Sequence, residues 1–151
     1  MITLRPWVVK DAEFCLSVRN HPDLMKWFRQ EVPLKLAEQR KFIETAHDYN
    51  GRVIMNDTTP VGLCSVKKSG EFTIGVLPQY QGKGYSLKAM KLLLKGQTGV
   101  WSEVFVGNPA LEFFVSKCGF RITGVKERAY YKQGKGLVDV VTIRHDKPNR
   151  R

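Results

Sequence analysis

The most informative segment of the chain is Ile74-Gly75-Val76-Leu77-Pro78-Gln79-Tyr80-Gln81-Gly82-Lys83-Gly84-Tyr85. A β-rich run ends at Leu77-Pro78, a short loop follows, and an amphipathic pattern begins at Tyr85. Gly82 and Gly84 have no Cβ atom, so the backbone there can approach a ligand closely. The start of the following helix presents unpaired N–H groups and the positive end of the helix dipole. The segment therefore predicts an anion site that suits a diphosphate.

Two other phosphate-binding motifs do not match this loop. The chain has no G-x-x-x-x-G-K-[ST] sequence, and Gly82-Lys83-Gly84 lacks the third glycine of a dinucleotide motif, because Leu87 stands in its place. The glycine spacing alone is also compatible with an ordinary strand-to-helix turn. The interpretation therefore depends on the elements around the loop.

Upstream of the loop, the hydrophobic periodicity changes from helical to β-type. A strand is predicted from Ile2 to Val8, followed by a helix that Asp11 caps and that runs through Asn20, and by a second helix from Leu36 to Asp48. Three short runs separated by turn clusters then predict an antiparallel meander of strands: Arg52 to Asn56, Val61 to Val66 and Glu71 to Leu77.

Downstream of the loop, helices and strands alternate. The predicted elements are a helix from Tyr85 to Lys95, a strand from Trp101 to Val106, a helix from Asn108 to Lys117, and two strands at Phe120 to Tyr130 and Leu137 to His145. This order predicts an α/β fold (an α+β mixed sheet), with six or seven strands and helices on both faces.

The composition is that of one globular domain. Of the 151 residues, 42% are hydrophobic and 26% charged, and we expect a single domain over residues 1–146 with a basic tail at 147–151. We expect neither a signal peptide nor a membrane span, and hence a cytoplasmic location. The odd set Cys15, Cys64 and Cys118 lacks metal-ligand spacing, which predicts free thiols and no metal site.

The charge is strongly positive. With 25 Lys and Arg against 14 Asp and Glu, the net charge is +11. Such a surplus attracts nucleic acid, anionic membranes and phosphorylated cofactors alike, so it selects none of them.

Two sequence blocks carry a family resemblance. Gln79-Tyr80-Gln81-Gly82-Lys83-Gly84 matches [QR]-x-x-G-x-[GA], and it is followed at the right distance by Asn108 and by Lys117-Cys118-Gly119-Phe120. In these blocks the sequence resembles the GCN5-related N-acetyltransferase (GNAT) superfamily. The N-terminal Leu4-Arg5-Pro6-Trp7 and Arg19-Asn20-His21-Pro22 look like the branch that includes ribosomal-protein-alanine and amino-sugar acetyltransferases.

The resemblance implies the acyl-CoA N-acyltransferase fold, with acetyl-CoA as co-substrate and direct attack of an amine on the thioester. It places pantetheine between the fourth and fifth strands and the pyrophosphate on the glycine loop. Asn108 would hold the pantetheine arm, although an Asn before a helix is also a routine cap. The implied cofactor-binding residues are Ile74, Val76, Gln81, Gly82, Lys83, Gly84, Tyr85 and Asn108.

The resemblance also suggests a general base. Family members often place a carboxylate where Glu71 stands, so Glu71 is the first candidate, with a solvated strand-edge Glu as the alternative interpretation. His21 and Glu31 lie in the segment that normally walls the acceptor site, and His21 has a suitable intrinsic pKa. Asp139 is a further candidate.

The general acid departs from the family pattern. Val115 stands where many relatives have a tyrosine, and Leu111 where they often have a serine. The nearby substitutes are Ser116, Cys118, Tyr130 and Tyr131, and a thiolate can also leave without a dedicated acid. We therefore take Glu71, Tyr130 and His21 as the catalytic candidates.

The predicted function is acetyl transfer to a small amine, an amino sugar or a protein N-terminus. One alternative is a nucleic-acid binding or base-modifying protein on the same scaffold, which the charge favours and the lack of interleaved aromatic residues disfavours. Another is a catalytically silent CoA-binding regulator, which Val115 suggests. No membrane partner is expected, and a homodimer is compatible with the assignment.

Overall fold

The computed structural model describes residues 1–30 and 32–146. The base candidate Glu31 and the predicted basic tail at 147–151 lie outside the described residues. Along the described residues the chain forms seven strands: β1 (Ile2–Pro6), β2 (Gly51–Asn56), β3 (Thr59–Val66), β4 (Phe72–Val76), β5 (Val100–Phe105), β6 (Arg121–Lys132) and β7 (Gly136–His145). The α-helices there are α1 (Ala12–Arg19), α2 (Pro22–Met25), α3 (Leu36–Thr45), α4 (Tyr85–Leu94) and α5 (Ala110–Cys118).

The strands form two antiparallel sheets that meet at the start of β4. One sheet has the order β1-β2-β3-β4 and the other the order β5-β7-β6. A parallel bridge between Glu71 and Trp101 joins them, supported by bonds from the Trp101 amide to the Gly70 carbonyl (3.0 Å) and from the Ser102 hydroxyl to the Phe72 carbonyl (3.1 Å). Within the described residues, the predicted mixed sheet is thus two antiparallel sheets joined by a parallel bridge.

Helices cover both faces of the first sheet, as predicted. On one face α4 buries Ala89, Met90 and Leu93 in the core that contains Phe72. On the other face α1 buries Cys15 and Val18. Burial of the Met90, Leu93 and Val18 side chains contributes on the order of 1.5–3 kcal/mol each. The core thereby fixes the position of β4 and of the loop that leads into α4.

At three helix ends the difference from the prediction has an identifiable cause. Asp11 precedes α1 but makes no cap bond to it; instead it pairs with both terminal nitrogens of Arg5 at 2.9 Å. The second helix ends at Thr45 because Ala46 leaves the helical conformation (φ −89°, ψ 67°). The helix predicted from Asn108 begins at Ala110, whose amide donates to the Asn108 side chain (2.9 Å).

The cysteines are free thiols, as predicted. Burial raises the pKa of Cys15 and of Cys64 to about 12, and that of Cys118 to about 11. All three thiols are therefore protonated at neutral pH and are poor nucleophiles. None of the helices within 1–30 and 32–146 has the length and apolar character needed to cross a membrane.

Candidate active site

A cavity of about 1590 Å³ lies along the gap between β4 and β5. The glycine loop lines it through Gln81, Gly82 and Gly84. A group of charged residues around Glu71 and Glu103 lines the same cavity. The cavity therefore brings the predicted anion site and the predicted base into one connected space.

The glycine loop has the geometry of an anion cradle. Gly82 and Gly84 have φ values of 79° and 81°, a left-handed conformation that disfavours side chains. A Cβ atom added at either position would meet no protein atom within 4 Å, so the space beside them is open. The first-turn N–H groups of α4 have no intrahelical acceptors and can bind oxygen atoms of a pyrophosphate there.

The free edge of β4 faces the same cavity. The Leu77 amide donates to Val61 (3.0 Å), and the Glu71 carbonyl accepts from the Lys67 amide (2.8 Å), so these backbone groups point towards β3. Because backbone groups alternate along an antiparallel strand, those of Ile74 and Val76 point towards β5. The side-chain amide of Gln81 donates to the Val76 carbonyl (2.9 Å). The Ile74 N–H and C=O and the Val76 N–H therefore face the gap where the resemblance places pantetheine.

Of the remaining predicted cofactor residues, Asn108 and Tyr85 line the cavity and Lys83 does not. Asn108 lines the cavity, and its side-chain oxygen accepts from the first amide of α5, that of Ala110 (2.9 Å). Tyr85 also lines the cavity, and its hydroxyl accepts a bond from Asn56 (3.0 Å). Lys83 is exposed and is not among the lining residues.

The second part of the cavity borders what we call the carboxylate cluster, which consists of Arg29, Lys67, Glu71, Glu103, Lys126 and Tyr130. All of these except Lys126 line the cavity. Glu71 is only 7% exposed. One of its carboxylate oxygens pairs with Arg29 and the other with Lys67, the latter at 3.0 Å. The interpretation of Glu71 as a solvated strand-edge residue is therefore wrong, because the bridge to Trp101 buries it where the two sheets meet.

Glu103 is a member of the cluster that the sequence interpretation missed. Its side chain is 4% exposed and pairs with Lys126 at 2.6 Å. Burial by itself raises the pKa of Glu103, but hydrogen bonds from Lys126 and Tyr130, together with the positive charges of Lys126 and Arg29, outweigh burial and hold the pKa below its ordinary value. The sequence did contain a signal for this role, because Glu103 is the one charged residue in the mainly apolar strand Val100–Phe105.

Tyr130 connects the members of the cluster. Its hydroxyl donates to Glu103 and accepts from Arg29 at 3.0 Å, and the Arg29 guanidinium lies 5.1 Å from the centre of its ring. The hydrogen bond to Glu103 raises the pKa of Tyr130. The phenol is therefore protonated at neutral pH and keeps a proton that it can donate.

The other catalytic candidates lie apart from this cavity in the described structure. The ring Nδ1 of His21 accepts a bond from the Asp23 amide (3.2 Å) at the start of α2. Asp139 accepts from the Arg128 amide (2.8 Å). The general-acid candidates Ser116, Cys118 and Tyr131 do not line the cavity either. Val115 is also absent from its lining.

Two splayed sheets around a glycine loop at a helix start define an acyl-CoA N-acyltransferase fold. The family model described as "Acetyltransferase (GNAT) domain" matches residues 1–121. The chain therefore belongs to the GNAT acetyltransferase family. A search of curated proteins found no match.

Solved structures share the fold over nearly the whole chain. The Salmonella typhimurium protein yncA, solved with its cofactor acetyl-CoA, has a TM-score of 0.81 at 18% identity and covers 100% of this chain and 96% of its own. Spermidine N-acetyltransferase from Vibrio cholerae, in complex with CoA and spermine, scores 0.79 at 20% identity, with 95% and 94% covered. Ribosomal-protein-alanine N-acetyltransferase from Brucella melitensis scores 0.81 at 15% identity, with 96% and 99% covered.

Proposed function

We propose that this protein transfers an acetyl group from acetyl-CoA directly to a primary amine. The observation that carries the proposal is that one continuous cavity contacts both the glycine loop and the carboxylate cluster. Family membership supports the reaction class. The structures solved with acetyl-CoA and with CoA support the donor.

The described residues fit the donor. Its pyrophosphate would bind the N–H groups at Gly82 to Tyr85, and its pantetheine amides would pair with the free backbone groups of Ile74 and Val76, beside Asn108. The donor supplies an acyl thioester that an amine can attack. The chain contributes the positioning of that thioester against the amine, and such positioning supplies a large part of the rate enhancement.

Glu71 is the proposed general base, acting directly or through water. An amine attacks only when deprotonated, and a carboxylate within reach accepts that proton. Both carboxylate oxygens of Glu71 are occupied in the structure, so one ion pair has to open. Arg29 is also bound to the Tyr130 hydroxyl (3.0 Å), which fixes its guanidinium beside Glu71. We assign the opening to Lys67.

Tyr130 is the proposed proton donor. It lines the cavity and its raised pKa keeps the phenol protonated. Val115, at the position where relatives often have a tyrosine, is 37% exposed on α5. In this proposal Tyr130 from β6 replaces the tyrosine that relatives often have on the helix corresponding to α5. The alternative of a catalytically silent regulator rested on Val115, so it loses its support.

The acceptor is a small amine, an amino sugar or a protein N-terminus. The test is a screen that follows free thiol release from acetyl-CoA with polyamines, amino sugars and N-terminal peptides. We expect thiol release above the acceptor-free rate with at least one class. Hydrolysis without any acceptor dependence, together with no thermal stabilisation by acetyl-CoA, would overturn the proposal.

The net charge of +11 is the observation that favours nucleic-acid binding as a second candidate function. Duplex DNA belongs in the same screen, both as an acceptor and as a ligand. Binding through phosphate contacts weakens steeply with salt, with a slope that reflects the number of contacts. Binding without that slope, or no binding, would leave acetyl transfer as the one function to pursue.

A further inference from the structure

Lys132 is a buried cation on a strand separate from the glycine loop. It lies at the end of β6 and is 7% exposed. Its ammonium group donates to three backbone carbonyls, those of Met25 (3.0 Å), Phe28 (2.6 Å) and Gln30 (2.7 Å). A lysine ammonium group has three N–H donors. Burying a lysine costs free energy unless its charge and donors are paired. Lys132 therefore has a defined role in the fold that an exposed lysine would not have.

The three carbonyls belong to the segment that carries Arg29. We call residues 25–30 the arginine segment; it begins at the last residue of α2 and is part of the cavity wall through Trp27 and Phe28. The Phe28 and Gln30 carbonyls lie on either side of Arg29 in the chain, and Lys132 binds both. The backbone at Arg29 is thus held where its side chain reaches Glu71 and Tyr130.

β6 contacts both the side chain of Arg29 and the backbone beside it. Tyr130 and Lys132 are two residues apart on β6, so their side chains leave the same face of the strand. The ammonium of Lys132 lies 5.8 Å from the ring centre of Phe105, and that ring is 6.4 Å from the ring of Tyr130. One strand therefore supplies the hydroxyl that Arg29 binds and the cation that holds the backbone of Arg29.

We propose that Lys132 is a positioning residue, which holds the arginine segment so that Arg29 bridges Glu71 and Tyr130 at the acceptor end of the cavity. This role rests on the proposed function, because Glu71 is the proposed base. Lys132 acts through Arg29, while donor binding depends in this proposal on the glycine loop, a separate part of the chain. Loss of Lys132 should therefore affect the acceptor and spare acetyl-CoA.

The first test is steady-state kinetics of Lys132→Met with the best acceptor from the screen. We expect the acceptor KM to rise about tenfold or more, since small misplacements near a reacting centre are costly, and the acetyl-CoA KM to stay within about twofold. The control is Lys117→Met, which removes the same charge from the exposed surface of α5. Equal changes in both KM values would overturn the proposal.

A double-mutant cycle separates positioning from general destabilisation. If Lys132 acts through Arg29, the effect of Lys132→Met on the acceptor KM should largely disappear in an Arg29→Met background. Effects that multiply would show that Lys132 acts independently of Arg29 and would overturn the proposal. If Lys132→Met fails to fold, Lys132→Arg keeps the charge and donors but changes their reach. It should raise the acceptor KM about threefold, and an unchanged value would overturn the proposal.

Hydrogen exchange provides a readout that does not depend on activity. In Lys132→Met, or in Lys132→Arg if that variant replaces it, amides of residues 25–30 should exchange faster than in the wild type, while those of α4 should not. This result would support the positioning role even if no acceptor were found. Unchanged exchange at residues 25–30 would overturn it while leaving acetyl transfer untouched.

Discussion

The hydroxyl of Tyr130 donates a hydrogen bond to the buried carboxylate of Glu103 across the wall of the cavity. The two residues come from β6 and β5, which are not neighbours in their sheet because β7 lies between them. The bond helps to hold the pKa of Glu103 below its ordinary value and raises the pKa of Tyr130. It therefore links the stability of this region to pH.

We expect Tyr130→Phe to lower the free energy of unfolding by about 1–2 kcal/mol at neutral pH, because a hydrogen bond to a charged group is lost. A lowered pKa stabilises the fold above the ordinary glutamate value of about 4.3, and this contribution disappears as pH falls through the folded-state pKa. The difference between wild type and variant should therefore be constant at neutral pH and shrink as pH falls below about 4.3 in urea titrations. A difference that stays constant below that pH would contradict the assignment.

Glu71→Gln should lower acceptor-dependent kcat by about 10²–10⁴-fold, since the amide cannot take a proton from the amine. Acetyl-CoA binding should be unchanged, because Glu71 belongs to the carboxylate cluster and not to the glycine loop. Thiol release and isothermal titration measure the two effects separately. The control is Glu127→Gln, an exposed glutamate on β6, and a similar kcat for both variants would exclude Glu71 as the base.

Gly82→Ala should weaken acetyl-CoA binding by crowding the backbone where the pyrophosphate approaches. The matched control is Gly134→Ala, which also has a positive φ (84°) and no protein atom within 4 Å of an added Cβ, but lies in the β6–β7 turn. Both variants should lose about 1 kcal/mol of intrinsic stability from left-handed strain. At 100 times Kd, acetyl-CoA should add about 2.7 kcal/mol to the wild type and the control, and clearly less to Gly82→Ala in thermal unfolding.

Gly82→Trp is the stronger form of the same test and should abolish stabilisation by acetyl-CoA. Equal stabilisation of the wild type and both Gly82 variants would place the donor elsewhere.

Asp11→Asn should destabilise the protein by about 1 kcal/mol at neutral pH, since its carboxylate makes a two-point pair with Arg5. The hydrogen bond from Arg5 lowers the pKa of Asp11. This stabilisation is present above the ordinary value of about 3.9 and is lost as pH falls below it. Urea denaturation of Asp11→Asn, Arg5→Met and the double variant should show non-additive losses, whereas additive losses would show that the pair contributes nothing.

Much of the fold was accessible from local patterns. Every predicted strand and helix before and after the glycine loop has a counterpart in the structure, because the 2.0 and 3.6 residue periods report which face of an element is buried. Errors lie at element ends, as at Thr45 and Ala110, where a single cap bond or backbone angle determines the boundary. Whether Asp11 caps a helix or pairs with Arg5 depends on a partner that the periodicity does not specify.

The sequence by itself determined the glycine loop, the order of elements around it and the family resemblance, since these depend on residues adjacent in the chain. Only the tertiary structure brought Arg29, Glu71, Glu103, Tyr130 and Lys132 together. These residues come from four separate parts of the chain, and their meeting depends on the bridge at Glu71 and Trp101 and on the pairing of β6 with β7. Burial then makes these ion pairs and hydrogen bonds important for stability, because a charge removed from water is costly unless it is paired. Periodicity records that a position is buried but not which distant residue pairs with it there.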